Sequence, residues 1–77
     1  MSRTVLIVDD SSFLSKQIAE FFATQLGFQV VGIGKDGNEA VEMHRRLRPD
    51  LVTMDLTMPY KDGKKAIYEI LAEFPDA

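Results

Sequence analysis

Leu51-Val52-Thr53-Met54-Asp55-Leu56-Thr57-Met58-Pro59 is a short apolar run that delivers one carboxylate and then stops. Pro59 cannot donate to a strand ladder, so the run reads as a buried strand ending near Leu56, with Asp55 at its carboxyl end. Val5-Leu6-Ile7-Val8 followed by Asp9-Asp10 repeats the arrangement at the start of the chain. If these two strands are parallel neighbours, three carboxylates converge at one sheet edge. In open α/β sheets that edge, outside the carboxyl ends of the strands, is where ligands bind.

Between the two runs the period of the apolar residues changes. From Ser11 to Leu26, the side chains Leu14, Ile18, Phe21, Phe22 and Leu26 recur at helical spacing, with Asp10 or Ser11 as the cap and Gly27 as the stop. Phe28 to Ile33 reads as a second strand. Asp36-Gly37-Asn38-Glu39 has the pattern of a capping box in its Asp form, opening a helix from about Asn38 to Arg48 with Ala40, Met43, His44 and Leu47 inward. After the third strand, Asp62 caps a helix from about Lys64 to Phe74 whose apolar face is Ile67, Ile70, Leu71 and Phe74. Alternation of this kind implies a parallel sheet with right-handed crossovers. His44, Met54 and Met58 read as packing residues, and Tyr60 and Tyr68 as half-buried aromatics.

Composition narrows the function. A chain of 77 residues with 45% hydrophobic side chains is one small globular unit, which buries only about 60% of its unfolded surface and leaves a thin stability margin. A net charge of −3 argues against nucleic acid and against anionic membrane, since both need a basic patch. Arg45, Arg46 and Arg48, the only basic cluster, fall in a helix's last turn, where they complement its dipole. No cysteine is present, which suits a reducing, cytoplasmic setting, and the amino-terminal apolar run is too short for a signal peptide or a membrane span.

Three aspartates held close together repel one another, and a hard divalent cation relieves that repulsion. Mg²⁺ takes one or two carboxylates together with waters and phosphate oxygens, so this edge suits it. An aspartate beside such a cation can act as a nucleophile toward phosphorus, and an acyl phosphate on Asp55 is the chemistry the arrangement suggests. The bland alternative is that Asp9 and Asp10 merely cap a helix while Asp55 ends a strand in solvent. Two acidic sites after two apolar runs favour the metal.

Val5 to Ser11, Arg48 to Pro59 and Asp62-Gly63 together resemble the receiver domain of two-component response regulators, with a flavour of the chemotaxis-type single-domain members. The resemblance covers essentially the whole chain, residues 1–77. It implies a flavodoxin-like parallel sheet, Asp55 as phosphoacceptor, Asp10 and Asp55 as direct Mg²⁺ ligands, Asp9 as a ligand through water, and the main-chain carbonyl of Thr57 as a third protein ligand. It also implies a sensor histidine kinase as phosphoryl donor, and a signalling module rather than an enzyme. Tyr60-Lys61 departs from the short and apolar residues usual there. The larger departure is length. The family's fourth and fifth strands, ending in Ser or Thr and in Lys, have no counterpart, so the expected order is 2-1-3 with the third strand as a bare apolar edge.

Such an edge seeks another strand, which leads to the expectation of a homodimer through the third strand or by exchange of elements, and of an impaired switch. Two other readings compete. One is an assembly or scaffold fragment with no phosphorylation chemistry. The other is a dinucleotide-binding half-domain, since Gly32-Ile33-Gly34-Lys35-Asp36-Gly37 fits G-x-G-x-x-G after a strand; Asp36, however, would set negative charge where a pyrophosphate should lie.

Overall fold

A computed structural model describes residues 3–58 and 60–77; Pro59, read above as the stop of the third strand, lies outside the described residues. The order of elements is β1 (Thr4–Val8), α1 (Ser12–Gln25), β2 (Gln29–Gly34), α2 (Gly37–Leu47), β3 (Leu51–Met54) and α3 (Gly63–Glu73). All three strands are parallel, in the order β2-β1-β3. β1 is central because it alone is apolar at every position from Val5 to Val8, and those four side chains are fully buried between the layers.

Successive strand residues face opposite sides of the sheet. Leu6 and Val8 join Ala40 and Val41 of α2 and Ala66 and Ile70 of α3 in the main core, with Met54 and Met58 packed against it. Val5 and Ile7 face the other side, under α1. Register is set at the far end by a reciprocal pair: the Thr4 amide donates to Asp50 Oδ2 at 2.7 Å, and the Asp50 amide donates to Thr4 Oγ1 at 2.9 Å. Val8 then lies opposite Met54, which puts Asp9 and Asp55 side by side one residue further on.

Boundaries follow the caps. The side chains of Ser11, Asp36 and Asp62 accept from the amides of Leu14, Glu39 and Lys65, the third residue beyond each. Glu39 Oε1 completes the second cap through the Lys35 amide, one residue further back than a capping box requires. β3 ends at Met54 rather than near Leu56, although the Asp55 amide still donates to the Val8 carbonyl at 2.9 Å. The arginine cluster is spent within the chain. Arg45 pairs with Glu73, Arg46 with Glu42, and the Arg48 guanidinium lies 3.8 Å over the Phe74 ring. Among the described residues no helix is long and apolar enough to cross a membrane.

Three expectations need correction. Leu71, read as part of the apolar face of α3, is exposed. On α1, Leu14, Phe21 and Leu26 are exposed, whereas Ser15, at 2% exposure, Ile18, Ala19 and Phe22 turn inward. The small residues Ser15 and Ala19 let the helix approach β1 and β2, and Phe22 closes edge-to-face on Phe28 with ring centroids 5.3 Å apart. Tyr60 and Tyr68 are exposed rather than half-buried, Tyr60 at 89% on a left-handed residue with φ 69°. On the other side of the sheet an apolar recess of about 280 Å³ opens between β3 and α3, lined by Leu51, Val52, Met54, Ile67, Ile70 and Leu71.

Candidate functional site

Asp9, Asp10 and Asp55 meet at the carboxyl end of the sheet, and one carboxylate oxygen from each lies within 4.8 Å of the others. Two parallel strands ending level produce this: Asp9 and Asp10 come directly after β1, and Asp55 directly after β3. The three differ in setting. Asp9 is buried to 7% exposure, Asp55 is half-buried and Asp10 is exposed. Asp9 Oδ1 accepts the Ser11 amide at 2.9 Å, so this carboxylate also braces the entry to α1. None of the ion pairs among the described residues involves any of the three.

Asp55 is held by Thr57, two residues on. Its Oδ1 accepts the Thr57 amide at 3.1 Å and the Thr57 hydroxyl at 3.4 Å, while Oδ2 accepts no hydrogen bond among the described residues. Gly63 closes the loop by donating its amide to the Leu56 carbonyl at 3.2 Å. A Cβ at Gly63 would run into the Asp55 carbonyl, so only glycine permits this close return.

A six-coordinate Mg²⁺ with Mg–O distances near 2.1 Å places opposite ligands about 4.2 Å apart. One oxygen from each of the three carboxylates lies within 4.8 Å of the others, close enough for a single ion of this size to be shared among them directly or through water. The donor set, all hard oxygen with no imidazole or thiolate, also fits this ion. Lys61 directs its ammonium to Glu69 on α3. The amide of Gly37, which a dinucleotide fingerprint would aim at a pyrophosphate, donates instead to the Lys61 carbonyl at 2.8 Å. That contact links residues 24 apart, and nothing in the periodicity or spacing of the sequence signals it.

The sequence and the fold are both similar to those of known proteins. The sequence profile of the response regulator receiver domain matches residues 5–77. The chain is 44% identical over 77 residues to the chemotaxis protein CheY of Thermotoga maritima, covering all of this chain and 63% of that protein. It is 43% identical over 75 residues to a protein-glutamate methylesterase/protein-glutamine glutaminase of Vibrio vulnificus, covering 97% of this chain and 20% of that protein. The chain therefore spans about a fifth of the length of such methylesterase relatives. Among solved structures, the response regulator domain of Thermotoga maritima CheB superimposes with a TM-score of 0.92 at 40% identity, over 97% of this chain and 56% of that one. A chain of the CheX-CheY-BeF3-Mg+2 complex from Borrelia burgdorferi does so with a TM-score of 0.93 at 38% identity, over 97% of this chain and 57% of that one.

Proposed function

The chain belongs to the response regulator receiver family, and from that premise we propose that it accepts a phosphoryl group on Asp55 with Mg²⁺ held by Asp10, Asp55, the Thr57 carbonyl and, through water, Asp9. The observation that carries this reading is the convergence of the three carboxylates at the strand ends. When bound, Mg²⁺ supplies positive charge that offsets the carboxylates and the incoming phosphoryl oxygens. The chain's own part is orientation. Thr57 holds Oδ1, which leaves Oδ2 to form the oxygen–phosphorus bond as the bond from phosphorus to the donor nitrogen breaks and its electron pair leaves with that nitrogen.

The donor is a phosphohistidine on a sensor histidine kinase. Exposed Phe13 and Leu56, close in sequence to Asp10 and Asp55, offer apolar surface for its docking. Residues 1–77 act as the first three βα units of a receiver domain in the cytoplasm. Their role is that of a phosphoacceptor, and the esterase activity in the relatives' names is not carried over. The open edge of β3 makes a homodimer.

Incubation with Mg²⁺ and acetyl phosphate or beryllofluoride, comparing the chain with Asp55→Asn, tests the chemistry. The expected result is a phosphoryl adduct with acetyl phosphate, a non-covalent mimic of that adduct with beryllofluoride, and with either a change in amide shifts around residue 55 that Asp55→Asn abolishes. No Asp55-dependent difference would leave an assembly fragment as the better account.

A further inference from the structure

Eight residues, 55–62, separate β3 from α3, and the loop they form carries both Asp55 and Thr57. Most of its hydrogen bonds are local. Thr57 bonds to Asp55, Gly63 to Leu56, Lys65 to Asp62, and the Lys61 ammonium to Glu69 in the next helix. Among the described residues, one hydrogen bond reaches residues 56–62 from outside this local unit: the amide of Gly37, the first residue of α2, donating to the Lys61 carbonyl at 2.8 Å.

Gly37 is buried, and a Cβ added there would overlap the Lys61 carbonyl oxygen and carbon and come within 2.7 Å of the Lys61 Cβ. The obstruction is backbone rather than the free end of a side chain, so the loop or the helix must move to accept it. Asp36 and Glu39 cap this same turn through the Glu39 and Lys35 amides, which keeps the Gly37 N–H aimed outward at the loop.

We infer that Gly37 is a positioning residue for the phosphoacceptor loop: its amide, brought close by the lack of a side chain, pins the far end of the loop so that Thr57 can hold Asp55. This inference rests on the proposed role of Asp55 for its consequence in metal binding, but the positioning itself is independent of metal. Groups that orient a metal's ligands commonly change its affinity by about 10- to 100-fold when removed.

The test compares the chain with Gly37→Ala, and uses Glu69→Gln, which breaks the side-chain pair of Lys61 and leaves its carbonyl alone. In metal-free protein, amide exchange followed by NMR is expected to show protection of the Thr57 amide falling about tenfold in Gly37→Ala and staying within about twofold in Glu69→Gln. Mg²⁺ affinity, read by titration of the same amide signals, is expected to fall about tenfold in Gly37→Ala only. Thr57 protection in folded Gly37→Ala equal to that of the parent chain overturns the inference. If the parent chain shows no Asp55-dependent Mg²⁺ binding, the phosphoacceptor reading fails, while the metal-free exchange comparison still decides the positioning role. Should Gly37→Ala not fold, Asp36→Ala, which loosens the same turn, carries the decision: a smaller loss of Thr57 protection supports the inference, and none overturns it.

Discussion

His44 lies at 4% exposure on the inner side of α2, its ring 5.3 Å from that of Phe74, and its Nδ1 is buried with no hydrogen-bond partner among the described residues. Burial, and next the charge of nearby Arg48, hold its pKa below the usual 6.5, with Glu73 opposing them. The folded state therefore favours neutral imidazole, and the unfolded chain binds the proton more readily. Stability from this residue is complete above pH 6.5 and declines as pH falls from there toward the lower folded-state pKa. A melting-temperature profile from pH 7.5 to 5 is expected to drop less steeply for His44→Phe than for the parent chain. The acidic cluster gives a second residue-scale expectation. A ligand that binds only the folded state at a hundredfold excess over its Kd stabilises by about 2.7 kcal/mol, so Mg²⁺ should raise the melting temperature of the parent chain and do so weakly in Asp10→Asn.

At the scale of elements, α1 shows how a helical stripe can be misread. Its apolar residues cover more than one face, and the large ones at Leu14, Phe21 and Leu26 suggest an inner stripe that the sheet does not use. The helix instead seats its small residues, Ser15 and Ala19, against the strands. This makes a testable contrast between neighbours: Phe21→Gln should change unfolding free energy by less than about 0.5 kcal/mol, whereas Phe22→Ala should cost about 3 kcal/mol through its packing on Phe28. Chemical denaturation of the two variants decides it, and equal losses would place Phe21 in the core after all. α2 and α3 were more legible because their apolar residues gather more nearly on one side of the helix than those of α1 do. Asp36 and Asp62 cap where their spacing predicts, and Ala40, His44 and Ile70 are buried as expected, whereas Leu71 is exposed.

At the scale of the whole molecule, one face of the sheet's edge is open among the described residues. β3 is an edge strand with exposed Leu51, and the recess beneath it is apolar. An edge of this kind templates further strand pairing. Light scattering over a range of concentrations is expected to show a shift from monomer to dimer, reduced by Leu51→Lys; a folded monomer throughout would defeat the dimer. The sequence by itself determined the order of elements, the parallel sheet, the family and the three acidic residues, because apolar runs ending in carboxylates, capping residues and turn residues are local signals carried by neighbours in the chain. Only the tertiary structure decided which face of α1 is buried, that Tyr60 and Tyr68 stand in solvent, that Thr4 and Asp50 lock the register, and that Gly37 grips the loop after β3. Those outcomes depend on contacts between residues far apart in sequence, where close backbone approach and the competition between neighbouring surfaces override what local periodicity can express.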